Sequence, residues 1–143
     1  MPIQPLESSA LTADWSPRII DTTTVQGSPI AAAAETIIAT VNIPNFGGVA
    51  IVQKVYLQGW AAFTVGGSGT AATLRIRQTN VSGTVVVSTG ALTAGIAAAA
   101  LAAQDVSGSD ATPGVATYVL TLQITSGATN TTISAVQLLA LVV

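Results

Sequence analysis

The chain has 143 residues, half of them hydrophobic, with only 7% charged and a formal net charge of −2. Four basic residues cannot build a phosphate-neutralising patch, so nucleic acid is excluded as a partner. The chain has neither Cys nor His, which removes disulfides, thiolate and imidazole catalysis, and the two commonest transition-metal ligands.

Thr, Ser, Gly and Ala replace the roughly one-quarter of charged residues that a typical domain carries. High hydrophobicity with little charge is the opposite of a disordered composition. The expectation is one β-rich domain of small side chains with much of its surface covered by partners. MPIQPLESS at the amino end lacks the basic flank and apolar run of a signal peptide. The apolar stretch 91–103 is shorter than the ~20 residues of a spanning helix, and Thr, Ser, Gly, Asn and Gln interrupt the uncharged run from Ala111 to Val143. No membrane partner is expected.

Residues 1–35 read as an extended amino-terminal arm, because Pro2, Pro5, Pro17 and Pro29 prevent a regular helix or central strand. Ile3, Leu6, Leu11, Trp15, Ile19 and Ile20 are its apolar anchors, docking either on a partner or on the chain's own domain. From residue 36 to 143 the pattern is that of strands. TIIATVNI (36–43) is β-branched and ends at Pro44. In 49–65, Val49, Ile51, Val55, Leu57, Ala61 and Phe63 share one phase; Lys54, Tyr56, Gln58 and Trp60 share the other, and Gly59 suggests a bulge.

GGSG (66–69) reads as a hairpin loop, lacking the Lys-Ser/Thr continuation of a phosphate loop. In AATLRIRQT (71–79), Ala72, Leu74 and Ile76 oppose Arg75 and Arg77. The two arginines either form ion pairs across a subunit boundary, with Glu7 or Asp14 as acids, or line a solvated face. NVSG (80–83) turns into TVVVS (84–88). GIAAAALAAQDV (95–106) is open between helix and strand, since alanine favours helix and the context favours sheet. DVSGSD (105–110) offers too few oxygens for calcium and reads as a turn. In 115–126, Tyr118, Leu120, Leu122 and Ile124 form one face, and GATN (127–130) turns into the last strand. The sequons NVS (80–82) and NTT (130–132) read as polar turns.

The last strand is apolar on both phases: Ile133, Ala135, Leu139, Leu141 and Val143 on one, Val136, Leu138, Ala140 and Val142 on the other. One face meets an opposite sheet; the other requires further cover, most economically sister copies about a symmetry axis. The expected subunit interface comprises Val136, Leu138, Leu139, Ala140, Leu141, Val142 and Trp60. The fold class is all-β, an antiparallel sandwich of about seven or eight strands, with a jelly roll ahead of an immunoglobulin-like arrangement that lacks its Cys–Trp–Cys spacing. Without His or Cys the only hydrolytic device left is a carboxylate pair, and no two of the six acids fall on a strand that would hold them at a working separation. No enzyme activity, cofactor or metal is expected.

The proline-punctuated arm, VYLQGWAAFTVGGSGTAATLRIRQT, YVLTLQITSGATNTTISAVQLLALVV and the abrupt apolar end resemble the trimeric, TNF-like jelly rolls of tailed-bacteriophage capsid decoration (cement) proteins and head-fibre domains. That resemblance implies a homotrimer made in the host cytoplasm and mounted on the outer surface of the virion. It also implies that arms reach across the major capsid protein to reinforce the shell. The alternative is a receptor- or glycan-binding tip of a fibre, which calls for exposed aromatics in loops, whereas the loops here are Gly, Ser and Thr with almost none.

Overall fold

The computed structural model describes residues 18–22, 34–43, 53–65, 72–92, 98–107, 117–124 and 131–142. They form eight strands: β1 (Arg18–Thr22), β2 (Glu35–Asn42), β3 (Gln53–Val65), β4 (Ala72–Gln78), β5 (Val85–Ser88), β6 (Ala98–Ser107), β7 (Thr117–Ile124) and β8 (Thr131–Val142). Two antiparallel sheets result, with strand orders β1-β8-β3-β6 and β2-β7-β4-β5. The pairs β4·β5, β3·β6, β2·β7 and β1·β8 are nested, as if one long hairpin had been wound around a barrel. The arrangement is a two-layer antiparallel sandwich, and it leaves an apolar face on each sheet to be packed against the other.

The period-two pattern places the core. Val55, Leu57, Ala61 and Phe63 from β3 and Val136, Leu138, Ala140 and Val142 from β8 meet Leu74 and Ile76 from β4 and Tyr118, Leu120, Leu122 and Ile124 from β7. All of these are essentially inaccessible to water. The Ala-rich stretch is a strand: β6 runs from Ala98 to Ser107 beside β3, and Leu101 enters the core. Tertiary pairing outweighs alanine's helix preference here.

Two local features depart from the sequence expectations, and the NVSG turn forms as expected. Gly59 makes no bulge; it pairs in regular register with Leu101 and Leu138. A Cβ there would meet Leu120 Cδ1 at 2.9 Å, so the glycine lets the two sheets close over β3. The bulge lies instead between Ala62 and Phe63, where Ser134 is the extra residue of β8. It reverses the phase of β8, so Ile133 joins Val136 and Leu138 in the core rather than sharing a face with Ala135 and Leu139. In the NVSG turn, Ser82 N–H donates to Asn80 Oδ1 at 2.8 Å and Gly83 N–H to the Asn80 carbonyl at 3.0 Å. A side chain at Gly83 would lie 1.6 Å from the Gln78 carbonyl oxygen, so only glycine closes this turn.

The expected arm is interrupted. Arg18–Thr22 is an edge strand of the sandwich, with Ile19 opposite Leu141 and Ile20 opposite Ala140, and Glu35 already belongs to β2. Ile19 and Ile20 therefore sit within a sheet rather than on a free reaching segment. The other arm anchors, Ile3, Leu6, Leu11 and Trp15, lie outside the described residues, as do the loop GGSG and Asp110.

Candidate interaction surfaces

The expected subunit interface divides in two along β8. Val136, Leu138, Ala140 and Val142 point inward and are covered by the chain itself, so they are core residues and unavailable to a partner. Leu139, Leu141 and Trp60 lie on the outer face of sheet β1-β8-β3-β6. The register sets out that face in rows: Gln104–Tyr56–Leu141, Ala102–Gln58–Leu139, Ala100–Trp60–Gln137 and Ala98–Ala62–Ala135.

Tyr56 is 42% and Trp60 36% exposed, and the alanines of β6 on this side are exposed as well. Trp60 Nε1–H donates to Gln137 Oε1 at 3.0 Å, which ties the indole to the neighbouring strand β8. Among the described side chains that β3, β6 and β8 place here, only Lys54 is charged, at one end. A contiguous, almost uncharged surface with two aromatic side chains is the composition of an interface core.

The outer face of sheet β2-β7-β4-β5 is built on charge. Arg77 grips Glu35 with two bonds, Nε–H to Oε1 at 2.7 Å and Nη2–H to Oε2 at 2.9 Å. Arg75 Nη1 lies 3.3 Å from Glu35 Oε2 and donates to Gln123 Oε1 at 2.8 Å. The Thr121 hydroxyl donates to Glu35 Oε1 at 2.5 Å. Burial raises the pKa of Glu35, but the Arg77 and Thr121 hydrogen bonds and the two guanidinium charges outweigh it and hold the carboxyl below its ordinary value.

Arg75 and Arg77 are thus paired within the chain. This corrects both the expected inter-subunit ion pairs and the solvated-face alternative: the acid that serves them is Glu35, at the start of β2. Sequence reasoning missed it because Glu35 was assigned to the arm. A lone acid one strand removed from two in-phase arginines was the available signal.

A second polar cluster ties the sheets together at one end of the sandwich. Asp105, an inward position of β6, accepts at Oδ2 from Gln78 Nε2–H at 2.8 Å and from the Tyr118 hydroxyl at 2.9 Å. Burial, and then the Asp105 carboxylate, push the Tyr118 phenol above its ordinary range. The DVSGSD turn therefore begins later than expected, since Asp105, Val106 and Ser107 belong to β6. Among the described residues no group of three or more acids, His or Cys could hold a metal, and no helix is long and apolar enough to cross a membrane.

No family model matches the chain, and no curated protein matches it. Solved structures do. One from infectious bursal disease virus, Gx strain, superimposes with a TM-score of 0.54 and 17% identity over 90% of this chain and 33% of that one. The VP2 subviral particle of the same virus gives a TM-score of 0.55 and 15% identity over 91% of this chain and 33% of that one. This chain thus spans about a third of the length of each. At such identities the likeness is one of fold: a two-sheet antiparallel sandwich of the kind that builds a viral particle.

Proposed function

We propose that the chain is a non-enzymatic structural protein of a virion, a capsid decoration (cement) protein of a tailed bacteriophage. In this reading it forms a TNF-like homotrimer on the outer surface of the head, after synthesis in the host cytoplasm. The observation that carries the reading is the outer face that β8, β3 and β6 make, where Trp60, Tyr56, Leu139 and Leu141 lie among alanines and Lys54, at one end, is the one charge among the described side chains of these strands. Strands of 5, 12, 13 and 10 residues make roughly 600 Å² of sheet. That is of the order of the ~800 Å² that each partner contributes to a stable interface. The nested strand winding and the fold likeness to VP2 support a virion role.

The mechanism is added buried area. Sister copies cover the outer face of one another's sheets, while Ile3, Leu6, Leu11 and Trp15 of the arm contact the major capsid protein. A ligand that binds only the assembled shell stabilises it by mass action.

Two measurements test the reading. Light scattering of the purified chain is expected to give three times its 14.2 kDa mass or a multiple of it, and Trp60→Ala with Leu139→Asp is expected to abolish the three-fold association. Deleting residues 1–17, which leaves β1 in place, is expected to abolish binding to heads lacking the protein and their gain in heat resistance. Full binding by the truncated chain would overturn the cementing role. Retention of the intact chain on a glycan array, with no binding to heads, would favour the fibre-tip alternative, to which exposed Tyr56 and Trp60 also lend themselves.

A further inference from the structure

A sheet edge presents a row of unpaired N–H and C=O groups, and proteins normally blunt such edges. Of the four strands that end the two sheets here, three are blunted. β1 has five residues and β5 four, and the β4·β5 ladder slips at Val86. β2 carries a bulge at Ile38 and a charge at its first residue, Glu35.

β6 is neither short nor broken by a bulge or a slip. It runs ten residues, pairs with β3 in unbroken register from Gln53↔Ser107 to Ala62↔Ala98, and contains no Pro, Lys or Arg. Ala98, Ala100 and Ala102 are exposed but too small to obstruct an approaching strand. Its one charge, Asp105, is turned to the opposite sheet and engaged by Gln78 and Tyr118. Leu101 is held in the core. The strand is thus fixed at its middle and one end, and among the described strands it is hydrogen-bonded on one side only, to β3, with β5 approaching it across the corner between the sheets.

We infer that β6 pairs antiparallel with β6 of a second copy across a two-fold axis, joining two four-stranded sheets into one of eight strands. The second copy is the occupant because the strand complements itself. A two-fold pairing must set residues of the same face opposite one another, and a pairing centred on Leu101 does so. The inward row becomes Leu101–Leu101 and Ala99–Ala103; the outward row becomes Ala100–Ala102 and Ala98–Gln104. The two Asp105 carboxylates then lie eight positions apart along the strands, roughly 27 Å, so no like charges meet.

The geometry stands on its own; its use rests on the capsid reading. A three-fold contact through the outer face yields isolated trimers, whereas a two-fold contact through β6 in addition links trimers into a closed net.

The absence of cysteine from the chain makes the test clean. Reduced Ala100→Cys and Ala102→Cys proteins, mixed and then mildly oxidised, are expected to cross-link at least tenfold faster than either alone. Ala98→Cys with Gln104→Cys should behave in the same way, and the out-of-register pair Ala98→Cys with Ala102→Cys should not. A Leu139→Asp background, which opens the outer face, should leave the cross-link intact. Equal rates for mixed and separate proteins would overturn the inference. Wild-type mass separates the two readings. Six copies or a higher multiple of three supports both contacts; two copies supports β6 pairing and overturns the three-fold contact; three copies with no doubling overturns β6 pairing alone.

Discussion

Leu138 and Leu139 are neighbours in sequence with opposite assignments, and exchanging each for alanine separates core from interface. Leu138 is wholly buried, lies opposite Gly59 on β3 and belongs to the cluster that both sheets share. Removing its isobutyl group loses transfer free energy and leaves a cavity that flanking strands cannot close, a cost of about 2–5 kcal/mol. With a urea slope of about 2 kcal/mol per molar, a 3 kcal/mol loss moves the midpoint down by roughly 1.5 M. Leu139 sits opposite Gln58 on the outer face. In the dilute single chain its truncation is expected to cost under about 1 kcal/mol, while the association expected at higher concentration weakens. The assay is urea unfolding followed by tryptophan fluorescence at two protein concentrations, alongside light scattering. Equal losses for the two variants in the dilute chain would refute the facing of β8, and an unchanged mass for Leu139→Ala would refute the covered outer face.

Glu35→Gln keeps the shape but loses the charge gripped by Arg77; a stability loss of about 1–3 kcal/mol is expected, read by the same urea titration. Because the Glu35 pKa is depressed in the folded chain, its stabilisation is present above the ordinary value of 4.5 and is lost as pH falls through the lower folded value. Glu35→Gln should therefore flatten the acid limb of the wild-type stability profile, and an unchanged limb would discount the cluster. Tyr118→Phe removes a donor to Asp105 and is expected to cost about 1 kcal/mol. Since the folded phenol is raised above 10, its contribution is complete below pH 10 and is lost as pH rises through the folded value. Ultraviolet titration of the folded protein should show Tyr118 resisting ionisation, and Tyr118→Phe should lessen alkaline unfolding. Gly59→Val places branched carbons where a single Cβ already lies 2.9 Å from Leu120 Cδ1, and thermal melts should show a loss of about 1–3 kcal/mol.

The features that were legible in the sequence are those that one strand carries alone. The alternation of Val55, Leu57, Ala61 and Phe63 against Lys54, Tyr56, Gln58 and Trp60 names the inward face of β3, and the same reading succeeds for β4 and β7. The doubly apolar β8 likewise announces a strand with business on both sides. Where the sequence reading failed, the deciding atom came from another part of the chain. Alanine's helix propensity could not decide β6; the ladder to β3 did. Gly59 looked like a bulge until Leu120 supplied the reason for it. The arginine pair looked like a docking feature until Glu35, 42 positions from Arg77, closed on it.

By itself, then, the sequence determined a low-charge, two-layer β-sandwich with a buried final strand, because side-chain alternation is a property of consecutive residues and needs no partner to be read. Only the tertiary structure decided which half of that strand is core, where the phase reverses at Ser134, which acid neutralises the arginines and which strands end the two sheets. Each of those depends on pairing register between strands distant in sequence. A one-residue bulge shifts that register without leaving any chemical mark in the chain.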